Sequence, residues 1–167
     1  MIRHLPHMLL LLALTPLPLT AAERTTLFNT SNEPISIQSD TLTIDESSGI
    51  SLYQGQVVLQ QGDLTLKADR LEIVTTDRAI ASVTTHGTPT HLQQLTPTPL
   101  EAQANTIRYD ATQATLDFQG NARLTHSGDQ FSGNAIRYLI HQNRVEASSG
   151  GSSKQRVHVI LQPREAE

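Results

Sequence analysis

From residue 34 onward, apolar residues recur at every second position. Ile35 and Ile37 alternate with polar neighbours, as do Leu42 and Ile44, and then Tyr53, Val57 and Leu59. The series continues through Leu64 and Leu66, Leu71 and Ile73, Ile107 and Tyr109, Leu116 and Phe118, and Ala122 and Leu124. It closes with Ile136, Tyr138 and Ile140, then Val157, Val159 and Leu161. Period-two alternation over five to seven residues predicts strands with one buried face and one wet face. No segment carries a helical apolar stripe longer than two turns. The polar positions are rich in Thr, whose branched β-carbon suits a pleated surface.

Short polar stretches separate the strands: "DESSG" (45–49), "QQGD" (60–63), "TTDRA" (75–79), "DATQA" (110–114) and "HSGD" (126–129). Each has hairpin length and places Gly or an Asx residue where a positive φ is needed. "LTPTPLE" (95–101) and "SSGGSS" (148–153) are looser, but neither is long enough to separate independent domains. The pattern predicts one all-β domain.

A short phrase occurs four times: "QSDTLTID", "KADRLEI", "QANTIRYD" and "SGNAIRYL". Aligned on Asp40, Asp69, Asn105 and Asn134, the copies step by 29, 36 and 29 residues, so a pair of phrases repeats after 65. Gly55 and Gly120 keep the same spacing, in "YQGQVVL" and "FQGNARL". Such a period marks stacked strand pairs sharing one core. Because Asp and Asn serve alike, the recurring residue is not an acid–base group. It reads as a side-chain-to-backbone turn former at four corners.

Candidate chemistry is sparse. With no Cys there are no disulfides, thiol nucleophiles or thiolate metal sites. His86, His91, His126, His141 and His158 are scattered, and in an extended chain His86 and His91 face opposite sides. No nucleophile elbow or phosphate-cradling glycine loop occurs. No enzyme activity, metal or cofactor is expected. The 12 basic and 16 acidic residues give a net charge of -4, which disfavours a nucleic-acid surface.

The first 22 residues change the reading of location. A basic start (Arg3), an apolar run over Leu9–Leu14 and a small-residue end at Thr20-Ala21-Ala22 form a secretory signal peptide. Pro16, Pro18 and the short length argue against a retained anchor, since a span needs about 20 apolar residues. Without the leader, 11 basic residues stand against 16 acidic ones. The expected organisation is a leader over 1–22, one β domain over 23–163 and a short tail over 164–167.

Function must then reside in surfaces: the inward apolar face and the two edge strands, "PISIQSD" and "RVHVILQP". These edges carry few charges to block strand addition. On alternation alone, the inward face reads as a filled core at least as readily as an open one.

"PISIQSD", "LYQGQVVLQQGDLTLKADRLEI", "ANTIRYD", "FQGNARL" and "GNAIRYL", in this order, resemble the OstA-like family over nearly all of residues 34–163. The resemblance implies a twisted, V-shaped β-jelly roll of about sixteen short antiparallel strands. It also implies a periplasmic carrier whose inward groove shelters the acyl chains of lipopolysaccharide. Copies would join head to tail between an inner-membrane exporter and an outer-membrane insertase. Carried onto this chain, the lining includes Ile35, Ile37, Leu42 and Ile44 near the N-terminal mouth. Deeper come Tyr53, Val57, Leu59, Leu64, Leu66, Leu71, Ile73 and Leu92, followed by Ile107, Tyr109, Phe118, Leu124, Ile136 and Tyr138. The alternatives are an envelope scaffold with a filled core and a single-pass anchored relative of the same fold.

Overall fold

The alternating segments form strands, and the polar stretches at 46–49, 62–63, 77–78, 111–114 and 127–128 turn the chain back on itself. Ile140, expected to continue a strand, instead opens a 3-10 turn over Ile140–Gln142 that ends on Asn143 in the left-handed region. The computed structural model describes residues 27–28, 33–95, 99–150 and 156–163, so the leader and the tail lie outside the described residues. Among the described residues there are ten strands in a single antiparallel sheet. They are β1 (Ser36–Gln38), β2 (Thr41–Asp45), β3 (Ile50–Gln61), β4 (Leu64–Thr76), β5 (Ala79–Gln94), β6 (Leu100–Asp110), β7 (Thr115–His126), β8 (Asp129–Leu139), β9 (Arg144–Ser148) and β10 (His158–Ile160). Neighbours follow chain order from β3 to β8. Both β1 and β2 pair with β3 at one edge, and both β9 and β10 pair with β8 at the other.

The six long strands do not run straight. Pairing shifts register between Gln54 and Val57, Lys67 and Arg70, His86 and Thr90, Gln103 and Thr106, and Gln119 and Ala122. These breaks line up across the sheet and crease it into two wings. Counting each long strand as two halves gives the sixteen short strands expected. The crease is why β1 and β2 are separate: each pairs with a different half of β3.

The crease is built from the repeated phrase. Gly55 and Gly120 have φ of 82° and 77°, and each is followed by a second positive-φ residue, Gln56 or Asn121. Glycine has no β-carbon to clash in that region. The side chain on the neighbouring strand uses the vacated space: Asp40 lies over Gly55, Asn105 over Gly120 and Asn134 over Gly150. An added β-carbon on Gly120 would sit 2.6 Å from Asn105 Nδ2. The Asx residues do mark corners, but these corners lie inside strands and work by packing against a neighbour's glycine. Their expected side-chain-to-backbone bonds are not formed among the described residues.

The fourth corner differs. At Gly87–Pro89 the chain turns with a cis Thr88–Pro89 bond, and two buried threonines beside it, Thr85 and Thr90, bond to the neighbouring strands. Thr90 Oγ1 donates to the Lys67 carbonyl at 3.0 Å and lies 3.1 Å from Thr85 Oγ1. Thr85 Oγ1 in turn accepts from the Ile107 N–H at 3.3 Å. This corner also resets the alternation, so His86 and His91 are both exposed and do not face opposite sides.

Candidate functional site

The alternating residues of both wings face one another across the crease. One wing contributes the row Ile37–Leu59–Leu66–Leu92–Ala102–Leu124–Phe131–Val159, each residue paired with the next across the strands. The other contributes Leu42–Tyr53–Leu71–Thr85–Ile107–Phe118–Ile136–Ala147. A second row on that wing runs Ile44–Ser51–Ile73–Val83–Tyr109–Leu116–Tyr138–Val145. The result is a trough of aliphatic side chains whose long axis crosses the strands, from the β1/β2 edge to the β9/β10 edge.

The expected lining residues divide by depth. Val57, Leu59, Leu64, Leu66, Leu71, Ile73, Leu92, Ile107, Tyr109, Phe118, Leu124, Ile136 and Tyr138 are buried in one cluster. Ile35, Ile37 and Tyr53 pack against it half-buried. Leu42 and Ile44 lie at the edge, 50% and 56% exposed. Having only β3 beside them, they are the open mouth of the same rows.

The trough is not empty along its length. Leu27 and Phe28, upstream of every strand, sit between the wings. Phe28 is 1% exposed and meets the Tyr109 ring edge-on, with centroids 5.2 Å apart. The Leu27 N–H donates to the Tyr109 hydroxyl at 3.2 Å. Around this pair, Leu66, Val83, Leu92, Ile107, Tyr109 and Leu116 close in so tightly that no water-sized space remains. Towards the other edge a polar clasp joins the wings. His126 Nε2 lies 2.8 Å from Asn143 Oδ1, and the Tyr138 hydroxyl donates to the same oxygen at 3.2 Å. The His126 and Tyr138 rings are 4.8 Å apart. Burial pushes the Tyr138 phenol above its ordinary value of 10.0.

Sequence reasoning missed several lining residues. Leu116 stands in the alternating series but was not among the expected lining residues, and Val83 lies in the same cross-strand row, both paired with Tyr109. Ala102 and Ala104 are buried but too small to stand out in an apolar pattern, and Ala122, though part of the alternating series, was not among the expected lining residues. Phe28 gave no signal, because it belongs to no periodic segment. On the outer faces, exposed ion pairs such as Arg137–Asp117, at 2.6 Å, keep the sheet wet. Among the described residues no cluster of metal-ligating side chains occurs, and no helix is long and apolar enough to cross a membrane.

The sequence and fold are similar to those of known proteins. A family model described as LptA/(LptD N-terminal domain) LPS transport protein matches residues 36–144. The chain belongs to this family. Its curated relatives include the lipopolysaccharide export system protein LptA of Haemophilus influenzae, 28% identical over 137 residues, or 79% of this chain and 78% of the relative. LptH of Pseudomonas aeruginosa, also a lipopolysaccharide export system protein, is 28% identical over 142 residues, covering 79% and 81%. The crystal structure of LptH, described as the LptA-homologous periplasmic component of the lipopolysaccharide transport device, superposes with a TM-score of 0.67 at 27% identity. That likeness covers 78% of this chain and 96% of LptH. The twisted jelly-roll architecture of the LptA/LptD family is therefore that of this chain.

Proposed function

We propose that the protein is a periplasmic carrier that shelters the acyl chains of lipopolysaccharide in the trough between its wings. In this reading it passes lipopolysaccharide from an inner-membrane exporter towards an outer-membrane insertase, in head-to-tail assemblies of copies. The observation that carries the reading is the continuity of the inner rows with the surface. They are buried in the middle of the sheet and emerge at both edges, as Leu42 and Ile44 on one side and Val159 on the other.

Each buried methylene gains about 0.8 kcal/mol, so acyl chains need a continuous apolar path with no deep, selective pocket. Exposed apolar residues in edge strands support addition of a second copy, whose own edge would continue both the hydrogen-bond ladder and the trough. The relatives' names as export-system proteins support the cargo. They also support a role in transport rather than catalysis. Removal of the leader over 1–22, leaving a 23–163 domain and a short tail, belongs to the same reading and is tested by the intact mass of protein purified from periplasm.

Photocrosslinkers placed at Leu42, Ile44 and Leu92 should capture lipopolysaccharide, while Thr43 and Arg108, on the opposite face, should not. Equal capture from both faces would defeat the groove. A second reading, an envelope scaffold with a filled interior, draws on the tight packing around Phe28. It forbids uptake of an apolar fluorophore that lipopolysaccharide then displaces.

A further inference from the structure

We propose that Leu27 and Phe28 form a removable plug, which occupies a seat for one acyl chain when the carrier is empty and leaves it when cargo enters. The inference rests on the carrier reading above. Phe28 is as buried as the core of the sheet, yet neither it nor Leu27 belongs to any strand. Among the described residues no ladder hydrogen bond ties the pair to the sheet; its polar tie is the bond from the Leu27 N–H to the Tyr109 hydroxyl. Among the described residues every other large side chain buried to this depth belongs to a paired strand, so withdrawing it would break pairing. Withdrawing Phe28 breaks none.

The seat itself has the character of a hydrocarbon site. It is walled by Leu66 and Leu92 from one wing and by Val83, Ile107, Tyr109 and Leu116 from the other, with no charged side chain among them. Phe28 is wedged across the trough, touching both wings. A chain lying along the trough must therefore displace it or stop short of it. The 65-residue repeat gives the plug no counterpart: the position 65 residues after Phe28 is Gln93, exposed on the outer face of β5. The plug is an addition to the repeated sheet and not part of its symmetry. An occupied seat reduces apparent affinity by the fraction of time it is open, which favours release as well as capture of selected cargo.

The chain has no Trp, so Phe28→Trp introduces a single indole whose emission reports on this seat alone. With the mature protein freed of lipid, emission should be that of a buried indole. Saturation with purified lipopolysaccharide, monitored independently by co-elution, should shift it to that of a water-exposed one. Co-elution without the shift overturns the plug and leaves the carrier reading intact. Failure of the wild-type protein to bind lipopolysaccharide defeats the carrier reading, and the plug with it. If the indole is not accommodated, Phe28→Ala decides: lipopolysaccharide should bind roughly tenfold more tightly than to wild type, and unchanged or weaker binding overturns the proposal.

Discussion

Gly120→Ala is the sharpest test of how the crease is made. Gly120 has φ of 77°, and the position of its missing β-carbon is 2.6 Å from Asn105 Nδ2 and 3.0 Å from Asn105 Cβ and Cγ. Two costs follow. Holding an alanine in the left-handed region costs about 1–2 kcal/mol. Pushing Asn105 aside in a packed crease costs about 1–3 kcal/mol more. The variant should therefore be less stable by about 3 kcal/mol, which for a domain of this size lowers Tm by roughly 6–12 °C. Reversible urea unfolding followed by circular dichroism measures it. The two costs separate in a double-mutant cycle: Asn105→Gly in the Gly120→Ala background removes the overlap and leaves the backbone strain. Recovery of about 1–2 kcal/mol beyond additivity is expected. Gly87→Ala is the comparison, since Gly87 does not have positive φ and the nearest atom to its added β-carbon is Thr90 N, at 3.1 Å. A Gly120→Ala variant within about 0.5 kcal/mol of wild type, or a strictly additive cycle, would refute Asx-over-glycine packing as the basis of the fold line.

Four further outcomes follow from the same contacts. Phe118→Ala, deep in the sheet, should cost about 3–5 kcal/mol, whereas Phe28→Ala should cost only about 1.5–3, because Phe28 belongs to no strand; paired denaturation curves compare them. Thr90→Val removes the hydroxyl linking the Lys67 carbonyl to Thr85 and should destabilise by about 1–3 kcal/mol, while Thr90→Ser retains most of the stability. On the proposed edge-to-edge assembly, Leu42→Glu with Ile44→Glu should abolish self-association in sedimentation yet leave the monomer within about 0.5 kcal/mol of wild type, since both residues are already exposed; Val159→Glu should do the same from the opposite edge. Because burial holds the Tyr138 phenol neutral, the unfolded chain ionises first: stability is whole below pH 10, falls as pH rises towards the folded value, and should fall less steeply in Tyr138→Phe.

The alternation of Leu, Ile and Val with Thr and Gln determined that this chain is a sheet, where its hairpins turn, and which residues share the inward face. That much is local, because side chains in a strand alternate between faces whatever lies across from them. The 65-residue repeat likewise revealed the corners. What the corner residues do was settled only in three dimensions, since Asn105 and Gly120 meet across a strand pair fifteen positions apart. Burial too was decided by the tertiary structure. Leu42 and Ile44 recur 65 residues later as Ile107 and Tyr109, yet the first pair is half exposed and the second is 2% and 1% exposed. Their local pattern is the same; what differs is a neighbouring strand on one side only or on both. Phe28 is the extreme case: no periodicity announces it, and its place between the wings follows only from the closing of the sheet around it.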